Sequence, residues 1–300
     1  MHELIIVGAG PAGITAAVYA ARKQIDFIIV SEDIGGQTAW SGDVENYTGF
    51  QFISGPQLTE KFEEHLRQFK VQLKISETVK RIEKINDFFE VTTDKDKYQA
   101  KTVIIASGKK PRLLNVPGEK EYKNHGVTYC ATCDGPLFLN KTVAVIGSGN
   151  SALDATLQLI KIAQKIYLIN IGEKLGGDAI MREKIEASEK AAIYNSSQVT
   201  EILGDKFVKA IKIKQAGKDI ALEVQGVFIE IGSVPGVDFI DFVEKNKLGE
   251  IKIDAENKTN VPGIFAAGDV TDVLEKQIII AAGEGAKAVL SVFRHLSTHK

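Results

Sequence analysis

Two cysteines, Cys130 and Cys133, have the type and spacing that most directly suggest chemistry. They are the only cysteines in the 300-residue chain, and two residues separate them. A pair with this spacing can close a disulfide across one turn of backbone, and its first thiol is commonly acidic. Asp134 follows at once, and a carboxyl group there can transfer the proton that a departing thiolate requires, although an aspartate also suits a helix start or turn. The pattern favours a redox-active disulfide.

Two other interpretations of the cysteine pair remain open. A zinc site usually has four ligands, but the chain has no second C-x-x-C motif, and His125 is the only histidine nearby. Two buried, unreactive cysteines are the other possibility. A redox pair also needs a source of electrons, and a flavin-binding fold in the same chain would supply them. We therefore expect no metal site.

A glycine-rich loop near the start of the chain matches G-x-G-x-x-G at Gly8, Gly10 and Gly13. It follows an apolar segment and opens an Ala-rich one, so it lies in a strand–turn–helix unit. The first glycine allows the tight turn, the second lets the backbone approach a pyrophosphate, and the third lets the helix pack on the strand. The helix start would face the phosphates, and Glu32 ends the next strand, where an acid holds a ribose hydroxyl. The context predicts a dinucleotide site, as opposed to a turn that needs glycine only for packing.

A second loop, with Gly147, Gly149 and Ala152, repeats the pattern in the middle of the chain. The strand after it ends at Asn170. An NAD site favours an acid at this position, and an NADP site favours an arginine for the 2′-phosphate. The nearest arginine is Arg182, twelve residues on. The second loop therefore predicts a nucleotide-binding fold, either functional or retained with weakened cofactor binding.

Similar segments follow both loops. Residues 72–108 and 198–232 each contain short alternating strands that end in glycine and continue as Gly-x-x-Pro. The C-terminal block lacks a glycine fingerprint. It predicts a strand at residues 249–254, another at residues 261–270 that ends at a Gly-Asp turn, and a long helix over residues 277–296. This block is expected to complete the first module, and the second module is expected to be inserted in it.

The expected fold is therefore α/β, with two Rossmann-like three-layer nucleotide-binding domains, the second inserted in the first. Residues 1–112 and 244–300 are expected to form a discontinuous FAD-binding domain. Residues 113–243 are expected to form an NAD(P)-type domain that carries the cysteine pair. Strand-like linkers are expected near residues 109–120 and 233–243.

Composition excludes several other classes of function. The net charge is −2, 44% of the residues are hydrophobic and 25% are charged, as in an ordinary globular protein. No basic block suggests a nucleic-acid partner. No apolar run approaches the roughly 20 residues of a membrane span, and no secretory signal is evident. A reducing cytoplasmic setting is the expected location, where closely spaced cysteines are usually catalytic or metal-binding.

Several motifs stand in the order seen in low-molecular-weight thioredoxin reductases, which the chain resembles over nearly its whole length. They are Gly8-x-Gly10-x-x-Gly13, Gly35-Gly36-Gln37, Glu45-Asn46, Cys130-Ala131-Thr132-Cys133-Asp134-Gly135 and Gly268-Asp269. The sequence is also similar to the flavoprotein subunit of alkyl hydroperoxide reductase, in the stretches Asp134-Gly135-Pro136-Leu137-Phe138 and Lys276-Gln277-Ile278-Ile279-Ile280. That subunit normally carries an extra N-terminal thioredoxin-like region. We therefore expect a free-standing reductase of a separate thioredoxin-like protein.

The resemblance implies a role for each motif. Cys133 would meet the flavin, Cys130 would attack the partner disulfide, and Asp134 would act as acid and base. The family is typically a homodimer, and its cysteine-bearing module must rotate to alternate between flavin and partner. The residues expected to bind FAD are Gly8, Ala9, Gly10, Pro11, Ala12, Gly13, Glu32, Gly35, Gly36, Gln37, Asn46, Gly268, Asp269, Lys276, Gln277 and Ile278.

The sequence departs from the family at the second nucleotide site. The family has a His-Arg-Arg run there for NADPH, whereas this chain has Asn170-Ile171-Gly172. The electron donor is therefore open among NADPH, NADH and reduced ferredoxin, which a subset of the family uses.

The expected function is a flavin-dependent thioredoxin reductase that transfers two electrons through FAD and the Cys130–Cys133 disulfide to a thioredoxin-like protein. One alternative is an NADH-dependent disulfide reductase like the alkyl hydroperoxide reductase flavoprotein. Another is a flavin NAD(P)H dehydrogenase or oxidase with no disulfide substrate. A ferredoxin:NADP reductase-like protein and a redox-sensing binding module without turnover are further alternatives, and the intact cysteine pair argues against the former.

Overall fold

The computed structural model describes residues 1–298 except Gly42 and Glu45, with the side chains of all of these except Asp43, Thr132 and Cys133. The chain divides into two compact units. The first combines Met1–Lys110 with Val234–Lys300, and the second is Pro111–Ser233. The second unit is thus an insertion in the first. Among the described residues, no helix is both long enough and apolar enough to cross a bilayer.

The N-terminal part of the first unit alternates strands and helices. Its elements are β1 (His2–Val7), α1 (Pro11–Arg22), β2 (Phe27–Ser31), a 3₁₀ turn (Gly36–Trp40), β3 (Asp43–Val44), β4 (Ile53–Ser54), α2 (Gly55–Arg67), β5 (Gln72–Ile75), β6 (Val79–Ile85), β7 (Phe88–Thr93), β8 (Lys97–Ile105) and β9 (Lys109–Pro111).

The inserted unit repeats this alternation. Its elements are β10 (Val127–Thr128), α3 (Ala131–Asp134), a 3₁₀ turn (Gly135–Phe138), β11 (Thr142–Ile146), α4 (Asn150–Ile160), β12 (Lys165–Ile169), α5 (Ala179–Glu186), β13 (Ala191–Tyr194), β14 (Ser197–Gly204), β15 (Val208–Gln215), β16 (Lys218–Glu223), β17 (Gly226–Ile229) and β18 (Ser233–Pro235). The chain then returns to the first unit with β19 (Ile264–Ala266) and α6 (Ile278–Thr298).

The first unit is built on a seven-stranded sheet in the order β5-β2-β1-β8-β7-β6, with β19 also paired to β8. Its central strands are parallel, and β6, β7 and β8 pair antiparallel. Side chains of β1 alternate between faces. Leu4 and Ile6 pack against the small residues of α1 and α6, whereas Ile5 and Val7 face a second core that includes Val237 and Ile251. Since β1 is buried on both faces, it reads as a continuous apolar run.

The inserted unit has a parallel sheet in the order β10-β17-β11-β12-β13. Val143 and Val145 of β11 face α4 and α5. Ala144 and Ile146, on the other face, pack against the antiparallel sheet β14-β15-β16. Helices, parallel sheet and antiparallel sheet therefore form three layers, which confirms the fold class expected from the repeated strand–turn–helix pattern.

One predicted element is wrong. Residues 249–254 form no strand and contribute only isolated bridges of Ile251 to Lys245 and Thr271. Gly249 adopts a φ of +80°, which breaks extended backbone at the start of the segment. The long C-terminal helix is confirmed as α6, displaced by one or two residues at each end.

Candidate functional site

The first glycine loop contains two packing glycines and one that faces open space. A Cβ added to Gly8 would lie 2.4 Å from the carbonyl oxygen of Ala106, and one added to Gly13 would lie 1.9 Å from the carbonyl oxygen of Gly8. The same atom on Gly10 would meet nothing closer than the Gly35 oxygen at 3.9 Å. The lack of a side chain at Gly10 thus leaves a gap before the helix, which fits the close approach of a pyrophosphate.

The N-terminus of α1 is chemically open to an anion. Gly10 is the N-cap residue, no side chain caps the first turn, and that turn contains no acidic residue. Pro11 stands at the first helical position, where its missing N–H costs nothing. The Ala9 N–H is used within the protein, since it donates to Ser31 Oγ at 3.0 Å. Free N–H groups of the first turn, including that of Ala12, remain to face a phosphate.

The loop after β2 packs on the glycine loop. Gly35 donates its N–H to the Ala9 carbonyl at 2.7 Å. Asp33, which sequence analysis missed, accepts the Gly36 N–H at 3.2 Å. Burial raises the pKa of Asp33, the Gly36 N–H opposes this rise, and the charge of Glu32 adds to it. Glu32 itself is half exposed, and its Oε1 lies 3.6 Å from Lys110 Nζ. A ribose hydroxyl that bound Glu32 would have to share its carboxylate with this lysine.

Two residues expected at the flavin site meet although 231 positions separate them. Asn46 Nδ2 donates to Gln277 Oε1 at 3.0 Å. Gln37 Nε2 donates to the Lys109 carbonyl at 3.3 Å. Ile278, which begins α6, packs on a small apolar cluster formed by Val44, Ile53 and Leu58. The fold therefore places Asn46, Gln277 and Ile278 in one region of the first unit.

The Gly268-Asp269 turn is held by a buried acid that sequence analysis did not identify. Glu284 of α6 is 5% exposed. Its carboxylate accepts the Gly268 N–H at 2.9 Å and the Thr271 hydroxyl at 3.2 Å. A charged residue within the apolar α6 segment was the available signal.

A second buried acid lies near this turn. Glu250 Oε1 accepts from both Lys109 Nζ and Lys276 Nζ, each at 3.1 Å, and its other oxygen accepts from Asn246 at 2.7 Å. Burial pushes the pKa of Glu250 up, but these hydrogen bonds hold it below its usual value. Burial also raises the pKa of Asp269, and the two lysines oppose that rise. Lys276 is therefore committed to a charge network around the turn.

The cysteine segment begins directly after β10. Cys130 is disulfide-bonded, and the chain contains one other cysteine. The Cys130 N–H donates to Thr128 Oγ1 at 3.1 Å, and that hydroxyl in turn donates to the Asp134 carboxylate. The side chain of Cys133 lies outside the described residues. Thr128 thus connects the first cysteine to the predicted acid, a role that sequence analysis missed.

The residue before Cys130 is also anchored. Tyr129 donates its hydroxyl to Glu119 Oε1 at 2.8 Å, and Glu119 is 1% exposed. Glu119 further accepts the backbone N–H groups of Leu114 and Asn115 at 2.9 and 2.6 Å. Burial and then the Glu119 carboxylate raise the pKa of the Tyr129 phenol. Tyr129 is therefore a neutral structural support at any ordinary pH.

The second glycine loop leaves space for a ligand at Gly149, but the polar side chain that follows the next strand, Asn170, is already engaged within the protein. A Cβ on Gly149 would meet no atom within 4 Å. Asn170, in contrast, is 1% exposed and its amide is fully used. Its Nδ2 donates to the Gly172 carbonyl and to Asn195 Oδ1, and its Oδ1 accepts the Gly172 N–H. Arg182 donates to the Leu175 carbonyl at 3.1 Å. Asn170 therefore supports a turn and has no free group for a ribose.

No candidate metal centre is found in the part of the chain that the structure describes, where no three His, Cys, Asp or Glu side chains are suitably grouped.

A family model for the pyridine nucleotide-disulphide oxidoreductases matches residues 2–285. The chain belongs to this family. It is 39% identical over 298 residues to an NADH dehydrogenase of Bacillus subtilis (strain 168), covering 98% of this chain and 58% of that protein. It is 40% identical over 304 residues to the F component of the alkyl hydroperoxide reductase of Xanthomonas campestris pv. phaseoli, with 98% and 57% covered. The chain thus spans somewhat more than half the length of these relatives.

Solved structures cover the chain from end to end. Thioredoxin reductase of Lactococcus lactis in its FR conformation matches with a TM-score of 0.90 at 34% identity, over 99% of this chain and 100% of that one. A ferredoxin-flavin thioredoxin reductase from Clostridium acetobutylicum matches with a TM-score of 0.56 at 30% identity, over 99% and 98%.

Proposed function

We propose that the chain is a flavin-dependent thioredoxin-disulfide reductase. The observation that supports this most strongly is the oxidised Cys130, tied through Thr128 to Asp134, in the inserted Rossmann-like unit of a pyridine nucleotide-disulphide oxidoreductase. Bound FAD would supply two-electron chemistry that links an external donor to the Cys130–Cys133 disulfide.

We assign FAD to the discontinuous first unit, Met1–Lys110 with Val234–Lys300, and a nicotinamide-type site to the inserted unit, Pro111–Ser233; these bounds differ by two and ten residues from those expected from the sequence. The gap at Gly10 and the uncapped start of α1 suit the pyrophosphate. The other FAD contacts proposed are those predicted from the resemblance, with Asn46, Gln277 and the Asp269 turn on the same unit. Binding of FAD to Gly10→Ala tests the assignment.

The cysteine pair performs the exchange with the partner. The Cys130 thiolate attacks one sulfur of the partner disulfide, forms a mixed disulfide and releases a partner thiolate. Cys133 then attacks the Cys130 sulfur, which restores the Cys130–Cys133 disulfide and releases the second partner thiolate. Asp134 supplies a proton to a departing thiolate, and Thr128 orients its carboxyl group. Cys130→Ser and Cys133→Ser should each abolish turnover with thioredoxin and leave FAD bound, and activity retained in either variant would contradict the mechanism.

The electron donor is proposed to be NADH or reduced ferredoxin in preference to NADPH. Asn170 is saturated by protein contacts, and no arginine stands at positions 170–172 to pair with a 2′-phosphate. Anaerobic mixing with NADPH, NADH or reduced ferredoxin, followed by loss of flavin absorbance, distinguishes the donors. Fast bleaching by NADPH would rule this proposal out.

A second candidate is an NADH-dependent reductase like the alkyl hydroperoxide reductase flavoprotein, or a dehydrogenase with no disulfide substrate. It is favoured by the relatives of these names at 39–40% identity. If the protein is a dehydrogenase, Cys130→Ser should oxidise NADH at the wild-type rate. If it is a thioredoxin reductase, the same variant should no longer reduce a disulfide.

We also propose a homodimer, which sedimentation equilibrium can test.

A further inference from the structure

Glu230 occupies a central position in the inserted unit that no step above uses. It directly follows β17, and its N–H donates to the Ile146 carbonyl at the end of β11 at 2.8 Å. A Cβ on Gly147 would lie 2.2 Å from the Glu230 carbonyl oxygen. The half-buried Glu230 therefore lies directly against the second glycine loop, at the carboxyl end of a parallel sheet, where α/β proteins place their chemistry.

The side chain of Glu230 reaches the cysteine segment. β10 pairs in parallel with β17, with Thr128 beside Phe228, so Cys130 and Glu230 each lie two residues beyond the same pair. The Ala131 N–H belongs to the peptide bond that joins Ala131 to Cys130, and its hydrogen bond to the Glu230 carboxyl group lowers the pKa of that group. One peptide unit thus separates the carboxyl group from the Cα atom of the predicted nucleophile. Glu230 and Cys130 are close enough for a charge on one to affect the other.

The groups that shift the pKa of Glu230 include one acid, Asp154, and no cation. Burial raises its pKa to about 8, the charge of Asp154 on α4 adds to the rise, and the Ala131 N–H opposes it. On the neighbouring cysteine segment, residues 130–134, the titratable residue types are Cys130, Cys133 and Asp134, and the loop at residues 146–149 carries none. The carboxyl group is therefore neutral at low pH. When the pH rises it becomes a negative charge, in addition to that of Asp154, close to the Cys130 thiol of the reduced protein.

We propose that Glu230 is a positioning residue for the redox pair, which holds the Ala131 N–H and, once ionised, opposes formation of the thiolate on Cys130. When neutral, Glu230 leaves the thiol free to ionise. When charged, it makes the thiolate costlier by direct repulsion, so that Cys130 loses its proton at higher pH than it would beside a neutral group. This inference rests on the proposed role of Cys130 as the attacking thiol.

Alkylation of Cys130 over a range of pH tests the proposal in the full-length chain. In a Cys133→Ser background Cys130 is the only thiol, and its reaction rate with iodoacetamide reports the thiolate fraction. Glu230→Gln keeps an acceptor for the Ala131 N–H but cannot ionise. We expect this change to speed alkylation by about threefold or more near pH 8.5 and to have no effect near pH 6, where the side chain at position 230 is neutral in both proteins.

Two further variants make the result specific. Glu223→Gln alters an exposed acid of the same unit and should leave the profile unchanged. Asp154→Asn keeps Glu230 but removes the charge that raises its pKa, so the suppression of the thiolate should begin at lower pH. This variant also serves if Glu230→Gln does not fold.

The outcomes separate this inference from the proposed function, because alkylation requires no thioredoxin turnover. Superimposable pH profiles with and without Glu230→Gln in the Cys133→Ser background, while the protein with both cysteines reduces thioredoxin, would overturn the role of Glu230 alone. A profile that changes as predicted, while the protein with both cysteines does not reduce thioredoxin, would overturn the proposed substrate and leave Glu230 coupled to Cys130.

Discussion

Replacing Glu230 with glutamine should make the stability of the protein less sensitive to pH. The pKa of Glu230 rises from 4.5 to about 8 on folding, mainly because burial disfavours the charged form. Between these two values the folded protein keeps a proton that the unfolded chain has lost. Stability from this group is therefore fully present below pH 4.5 and is lost as the pH rises to about 8.

The size of the effect follows from the shift. One pKa unit corresponds to about 1.4 kcal/mol, so the wild-type protein should lose between about 2 and 4 kcal/mol from this group between about pH 5 and pH 8. Glutamine cannot titrate, and it can still accept the Ala131 N–H. The free energy of unfolding of Glu230→Gln, relative to wild type, should rise by the same amount over this range.

Urea denaturation at about pH 5 and about pH 8, followed by far-ultraviolet circular dichroism, measures this difference. Each comparison is made between variant and wild type at one pH, so that other titrating groups cancel. The matched control is Glu223→Gln, whose exposed carboxyl group should produce no such change. If Glu230→Gln and wild type lose stability in parallel, the carboxyl group is not held neutral by burial and the reasoning is wrong.

Four other substitutions have distinct expected results. Gly10→Ala should fold normally but bind FAD about tenfold or more weakly, which flavin titration measures, and unchanged FAD affinity would contradict the assignment of the loop. Gly13→Ala should cost at least about 2 kcal/mol of stability in thermal unfolding, because its Cβ would overlap a carbonyl oxygen. Glu284→Ala leaves the Gly268 N–H buried without its acceptor and should cost about 1–3 kcal/mol, seen as a lower urea midpoint, whereas an unchanged midpoint would mean that this contact does not stabilise the turn. Asn170→Asp should lower stability by a similar amount, because an aspartate cannot donate to the two oxygens that the amide now reaches. It should not tighten NADH binding, and an improved KM for NADH would show that the position can bind ribose.

The elements that were predictable are those whose pattern is local. An apolar strand, a glycine turn and an Ala-rich helix are specified within about twenty residues, so both strand–turn–helix units could be located from the sequence. The strand predicted at residues 249–254 does not form, because alternation over six residues carries little information and Gly249 interrupts it at a positive φ. A short alternating segment pairs as a strand only if a partner lies beside it, which is a property of the tertiary fold.

The supporting acids could not be found in this way. Glu119 and Glu250 follow glycines in loops, Glu230 follows an apolar strand and Glu284 lies in an apolar helix, and a surface position would be the normal expectation for a glutamate. Their burial follows from contacts with distant segments, such as that of Glu250 with Lys109. The contact of Asn46 with Gln277 is equally nonlocal, and only the family resemblance suggested that both belong to one site.

The central claim is that Cys130 is the thiol that attacks a partner disulfide. The most direct measurement mixes reduced Cys133→Ser or reduced Cys130→Ser with a thioredoxin that has one active-site cysteine, activated as a mixed disulfide with thionitrobenzoate. Attack releases one thionitrobenzoate anion and leaves a covalent complex that mass spectrometry detects. We predict rapid release and a stable complex with Cys133→Ser, and neither with Cys130→Ser. The opposite pattern, or no complex with either protein, would contradict the account.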